Sequence, residues 1–347
     1  MNPITLSMFT TALLSGTLIT LSSTNWLMAW MGLEINTMAI IPIIARKHHP
    51  RATEAATKYF LIQAPAAATI LFCAITNAWM TGQWEINQMS TDLPIILILI
   101  SLAFKMGMAP VHSWLPDVLQ GLDLMTGLVL STWQKLAPFY LILQLHSTHS
   151  LTLILLGTMS ILVGGWGGLN QTQTRKILAY SSITHMGWML VILQFSPELT
   201  LMTFTLYVTM TLPVFMILHQ NNTLSINKLP ILATHTPTIS ALIPLLLLSL
   251  GGLPPLTGFI PKWLIIQKMS HLGLFGLATI TALSGLFSLY FYLRLSYISS
   301  ITMSPSSNLT TATWRLTPNS IPLGLKTTIV PSMMLLPLTP MINSLLL

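Results

Sequence analysis

The sequence predicts an all-α polytopic membrane protein of about 11 transmembrane helices: two five-helix inverted repeats, each with a broken fourth helix, plus one C-terminal helix. Three observations predict it. Of 347 residues, 53% are hydrophobic and only 6% are charged, where a soluble domain carries about a quarter charged residues. The apolar runs are about 20 residues long, as a bilayer-crossing helix requires, and lack the ten-residue alternation of a barrel strand. Basic residues fall in alternate loops only, the pattern of a multiply crossing chain. The length leaves no room for an extramembrane domain, so no soluble active site or soluble substrate is expected.

Apolar runs bounded by polar residues, proline or glycine place the spans at 3–22, 25–45, 52–78, 93–120, 125–145, 150–170, 174–194, 198–219, 237–271, 274–296 and 323–345. The first is long enough to cross and lacks a basic leader and a cleavage site, so it is expected to remain in the mature chain. The fourth and ninth are too long for one tight crossing. They carry Pro110 and Pro116, and Pro244, Pro254 and Pro255, and are expected to break at 110, 116, 254 and 255. The sixth holds Gly164, Gly165, Gly167 and Gly168, small residues that suit close helix packing. Spans one to five (residues 1–145) and six to ten (150–296) form two blocks with the broken helix in fourth place. Five is odd, so the second block enters the membrane upside down relative to the first. Residues 297–322, polar and holding Pro305, Pro318 and Pro322, are expected to be a surface connector to the C-terminal helix region 323–347.

The loops on one side carry Arg46, Lys47, Arg51, Arg175, Lys176, Lys228 and Arg315. Those on the other, at 22–25, 79–92, 146–150, 195–198 and 271–274, hold no Lys or Arg, but do hold Glu85, Asp92 and Glu198. The first set marks the cytoplasm-equivalent face. In this setting the net charge of +7 reports orientation, and no nucleic-acid partner is expected. The single cysteine, Cys73, excludes an internal disulfide and a thiolate-rich metal site. The pairs His48/His49 and His146/His149 lack the further ligands that a metal site needs.

Ionisable residues deep in a span cost about 2.5–3.5 kcal/mol each, so those present serve a pathway or have a partner. Four stand out by depth: Glu34 in span two, Lys105 before the break in span four, Lys135 in the middle of span five and Lys262 after the break in span nine. A structural ion pair of Glu34 with Lys105, or lysines that snorkel, is the plain alternative. One carboxylate cannot neutralise three cations, however, and Lys135 lies too far from either end to reach an interface. Desolvation favours a neutral lysine and a nearby carboxylate favours the charged one. A row of such groups is therefore a switchable proton path, and broken helices are tolerated only along a polar cavity. His112 and His185 can extend the path or serve as packing residues. Glu54 and Lys58, one turn apart, suit a local surface pair, and Asp117 suits a helix cap.

The run Lys105-Met-Gly-Met-Ala-Pro-Val-His-Ser-Trp-Leu-Pro-Asp117 closely resembles the Lys-x-Gly-x-x-Pro-x-His-x-Trp-x-Pro-Asp signature of the antiporter-like subunits of respiratory complex I. Residues 175–187 and 249–262 resemble two further stretches of that family, in the same order. The resemblance implies a proton-translocating membrane-arm subunit in which Glu34 and Lys105 form a modulating pair, Lys135 is the central relay and Lys262 belongs to the second broken helix. It implies that this chain binds no cofactor, with FMN, iron–sulfur clusters and ubiquinone chemistry in partner subunits. The expected partners are other membrane-arm subunits and bilayer lipids such as cardiolipin. The Met-rich, charge-poor composition is similar to that of proteins encoded in animal mitochondria, which implies the inner membrane, with the N-terminus in the matrix and the C-terminus in the intermembrane space. Longer relatives have fourteen helices, and the first three have no counterpart here. An autonomous cation/proton antiporter of the same superfamily is the alternative, and a membrane scaffold the third reading. The alternating loops make one prediction: His48→Cys and Glu85→Cys are modified by a membrane-impermeant thiol reagent from opposite compartments. Labelling of both from one side overturns the eleven-span topology.

Overall fold

The computed structural model describes residues 2–47, 49–145, 150–230, 237–302, 323–339 and 341. Among them the chain is helical, and its only extended pairings are two isolated bridges. The helices are α1 Pro3–Ser22, α2 Trp26–Ile44, α3 Pro50–Thr81, α4 Asp92–Met106, α5 Trp114–Gly121, α6 Leu124–Ser131 and α7 Trp133–Gln144, then α8 Ser150–Gly168, α9 Thr174–Leu193, α10 Pro197–Gln220, α11 Pro237–Gly251, α12 Phe259–His271, α13 Phe275–Ile301 and α14 Leu323–Met334. Seven are long and apolar enough to cross a membrane: α1, α2, α3, α8, α9, α10 and α13. Three further expected spans are each split in two, as α4/α5, α6/α7 and α11/α12, in pieces of 8 to 15 residues.

The chain divides into two compact units, Met1–Ser160 with Leu193–Pro197, and Ile161–Ile192 with Glu198–Leu347. In the first, α1 packs on α2, α2 on α3, α3 on α4 and α5, and α7 against α4, α1 and α2. Small residues let α1 and α2 touch: a Cβ on Gly32 would stand 2.8 Å from the Gly16 carbonyl. In the second, α13 packs on α11 and α12, and α14 on α11. The glycine cluster of α8 is a packing surface there, as the sequence suggests. A Cβ on Gly164 would meet Thr184 Cγ2 at 2.8 Å, and one on Gly168 would meet the Phe291 ring at 2.9 Å.

Each unit ties two loops together in the same way. Asn25 bridges Glu85, with Trp26 N–H donating to Trp84 O at 3.1 Å and Ile86 N–H to Thr24 O at 3.0 Å. Gln173 bridges Ser225, with Thr174 N–H donating to Leu224 O at 3.3 Å and Ile226 N–H to Thr172 O at 3.1 Å.

Both long spans break by the same local chemistry. α4 ends at Gly107, φ 75°, whose N–H donates to Phe104 O while Met108 N–H turns back to Ala103 O. α11 ends at Gly252, φ 78°, with its N–H on Leu248 O and Ser249 O, and Leu253 N–H on Leu248 O. This is the glycine stop that satisfies the last carbonyls of a helix through a left-handed residue. A cis X–Pro bond follows in each gap, at Ala109–Pro110 and Pro254–Pro255.

The structure corrects several expectations. Pro116 lies outside the gap, in the first turn of α5, where a missing N–H costs nothing. Span five is interrupted at Thr132, whose backbone leaves helical geometry (φ −113°, ψ −67°) while its hydroxyl joins its N–H on the Leu128 carbonyl, the local back-bonding by which a threonine competes with the helix ladder. α13 runs on to Ile301, into the expected connector, and α14 has only 12 residues. Lys268, exposed in the last turn of α12, adds a basic residue beside the 271–274 loop, where the helix dipole favours it. Asp117 lies in the first turn of α5 with its carboxylate 3.5 Å from Lys58, which also pairs with Glu54 at 2.8 Å. His48, His146, His149, Arg315, most of the connector and the end of span eleven lie outside the described residues.

The two stops predict that Gly107→Ala and Gly252→Ala each destabilise the protein by about 1–2 kcal/mol, the usual left-handed penalty. A Cβ on Gly107 would also press on Leu115 and Trp114 at 3.2–3.3 Å. Gly276→Ala, with nothing within 4 Å, is the neutral control. Thermal unfolding midpoints of the three variants measure the difference.

Candidate functional site

A helix that stops inside a membrane must place its last carbonyls, and the end of α4 shows where they go. Ala103 O and Phe104 O take the turn amides, and Phe104 O also accepts from the Trp114 indole at 3.2 Å. Lys105 O accepts from Gln63 Nε2 of α3 at 3.4 Å. The Lys105 side chain is therefore free of that duty. It is 7% exposed, and among the described residues no hydrogen-bond acceptor reaches its Nζ. Its position in the last turn of α4 puts the ammonium where the helix dipole is negative.

Lys105 faces a small cavity within the first unit, together with Lys135 from α7, Asn36 and Thr37 from α2, Gln63 from α3 and Gln134 from α7. The space open to the centre of a water molecule is about 20 Å³, room for about one water. Lys135 is 2% exposed and sits one turn beyond the Thr132 interruption. Thr132 supports that interruption: its N–H and its hydroxyl both donate to Leu128 O, at 3.0 and 2.7 Å, and its own carbonyl accepts from Lys135 N–H at 3.3 Å. Glu34 of α2, one turn before the cavity-lining Thr37, is half-buried, and its carboxylate accepts from the Thr37 hydroxyl at 3.0 Å. It is close enough to act electrostatically on Lys105.

The other sequence-selected residues stand apart from this cavity. His112, in the gap after α4, has its Nδ1 3.2 Å from Pro110 O. In the second unit, the His185 ring packs on Tyr207 at 5.4 Å. Lys262 folds back from α12 across the second gap. Its Nζ donates to Gly251 O at 2.8 Å, and a Cβ on Gly252 would meet its stem at 3.0 Å. So each broken helix has a lysine ammonium at the end of its first half, supplied by that half at Lys105 and by the other half at Lys262.

Asn36, Gln63 and Gln134 were missed by a reading that weighed formal charge. The available signal was an uncharged amide in mid-span, next to Lys135 in one case and two residues from Glu34 in another. Chemically, the arrangement holds two titratable amines on one polar cavity, with one carboxylate in electrostatic range. That set can hold, exchange and bias a proton.

Residues 23–288 match the family described as NADH:quinone oxidoreductase/Mrp antiporter, transmembrane, and residues 289–343 match the NADH dehydrogenase subunit 2 C-terminus. The chain is 58% identical over 328 residues to a protein of Tetraodon nigroviridis, covering 94% of each. It is 56% identical to one of Oncorhynchus mykiss, covering 100% of this chain and 99% of that one. Both are named NADH-ubiquinone oxidoreductase chain 2. Among solved structures it is similar to a chain of respiratory complex I from Thermus thermophilus with bound aureothin, at TM-score 0.81 and 26% identity, over 97% of this chain and 80% of that one. A chain of the Mrp complex from Dietzia sp. DQ12-45-1b shares the fold at TM-score 0.78 and 18% identity, over 85% of this chain and 60% of that one.

Proposed function

The chain belongs to the NADH:quinone oxidoreductase/Mrp antiporter family, and we propose that it is the proton-translocating membrane-arm subunit of a respiratory NADH:ubiquinone oxidoreductase, passing protons through Glu34, Lys105, Lys135 and Lys262. Full-length relatives above 50% identity carry that enzyme's name, whereas the likeness to the Mrp complex at 18% identity speaks for the fold alone. The observation that carries the relay is the single polar cavity shared by Lys105 and Lys135. A second charge is costly there, so a proton on one lysine disfavours a proton on the other, and the two titrate as a set. Glu34 biases the set by favouring charge on Lys105.

His185 and His112 extend this path in the same reading. The inverted repeat is supported by the recurrence of one design in both units, namely a loop bridge before the second helix and a glycine stop in the fourth. The flavin, iron–sulfur and ubiquinone chemistry belongs to partner subunits, and lipids such as cardiolipin cover the outer faces. The basic loops face the matrix of the mitochondrial inner membrane.

Two variants of the assembled enzyme test the relay. Lys135→Met keeps much of the stem and deletes the amine, so it is expected to assemble and lose proton transport through this subunit. Lys135→Arg is expected to be nearly as harmful, because a guanidinium stays charged and cannot release its proton. Wild-type transport with arginine and failed assembly with methionine would mark a structural ion pair instead. A separate measurement concerns Glu34→Gln, which keeps the shape and removes the charge. It is expected to lower the number of protons pumped per NADH oxidised while assembly holds; normal pumping would leave Glu34 a structural role.

A further inference from the structure

We propose that the amides of Asn36 and Gln134 are positioning residues that hold water between Lys105 and Lys135, an assignment that rests on the relay reading above. Asn36 is 2% exposed, and among the described residues neither its Oδ1 nor its Nδ2 has a hydrogen-bond partner. Gln134 Nε2 and Lys105 Nζ are buried in the same condition. All three side chains line the one cavity that Lys105 and Lys135 share. A buried amide is rarely left unpaired at both ends. A buried water needs two to four polar partners and about one probe sphere of space. The cavity, at about 20 Å³ for a water centre, supplies both.

The placement of Asn36 is built in. Its Oδ1 occupies the ground that a side chain on Gly16 of α1 would take. Gln63, the other amide on the cavity, spends its Nε2 on the end of α4, so it is committed to the backbone.

The amide of Asn36 suits the task because it donates and accepts at once. Its Oδ1 accepts one water hydrogen, and its Nδ2 or Gln134 Nε2 donates to the water oxygen, so the water is oriented without being consumed. In the transfer, an N–H bond of the Lys105 ammonium breaks as its proton passes to the water. The water gives up another proton, and an N–H bond forms on the neutral amine of Lys135. The water is regenerated, charge moves by one lysine, and no other reactant is required.

The test uses the intact enzyme with Asn36→Leu, Gln134→Met, the double variant, Asn36→Ser and Lys135→Met, scored for assembly, NADH oxidation and protons pumped per NADH. The expected result is that the double variant assembles and its pumping ratio falls to that of Lys135→Met, while Asn36→Ser, which keeps a donor and an acceptor, recovers most of the loss. Full pumping in the double variant beside a failed Lys135→Met overturns the water site and leaves the relay standing. Equal losses with serine and leucine also overturn it, because packing alone then explains Asn36. Wild-type pumping in Lys135→Met overturns the relay itself. Should the leucine variants fail to assemble, a high-resolution structure of the native enzyme decides the matter. Ordered water within hydrogen-bonding distance of Asn36 and Gln134 supports the site, and direct side-chain partners for both amides overturn it.

Discussion

The end of a helix inside a membrane has carbonyls that no water will satisfy, and much of this structure is organised by where those carbonyls go. Glycine stops at 107 and 252 fold two amides back onto each half-helix. Side chains add further donors, Trp114 and Gln63 at the first break and Lys262 at the second. The lysines follow from the same constraint. A half-helix C-terminus is a fixed negative pole, which offsets part of the cost of burying an ammonium. Lys105 sits in the last turn of one such pole and Lys262 reaches across a gap to the other. Lys135 also lies beside a discontinuity, three residues past Thr132.

Much of this was legible in the sequence, and the gaps have physical causes. The two long breaks announced themselves, because a run of 28 or 35 apolar residues cannot cross once and each carried a proline followed by polar or turn residues. The interruption at Thr132 did not, although Pro138 was in view. α6 and α7 together have the length of one ordinary span, and a proline inside a membrane helix need not break it, as Pro65 in α3 and Pro213 in α10 show. Pro116 misled for the opposite reason, since a proline near a gap belongs as well to the start of the next helix as to the gap.

The candidate site was half legible. The lysines and Glu34 stood out because charge in a span is rare. Asn36, Gln63 and Gln134 did not, because an uncharged amide is cheap enough to occur in a span for packing alone. Only tertiary structure shows that these three converge on one cavity from α2, α3 and α7. His112 and His185 were named on chemistry and lie elsewhere, one on the backbone of the gap and one on the Tyr207 ring. A histidine's identity states what it can exchange, but its neighbours decide with what.

The two breaks differ in one respect that bears on how each lysine can change charge. At the first, the carbonyls are met by Trp114, Gln63 and backbone amides, so Lys105 can lose its proton without removing any donor from the end of α4. At the second, the Lys262 ammonium is itself a donor to Gly251 O. A neutral amine still has hydrogens, but it makes a weaker bond than a charged one, and the helix end loses the cation that opposes its dipole. A change of charge on Lys262 would therefore act on its break directly, whereas one on Lys105 would leave the end of α4 with its donors in place. The first break thus keeps its donors whatever the charge on its lysine, and the second does not.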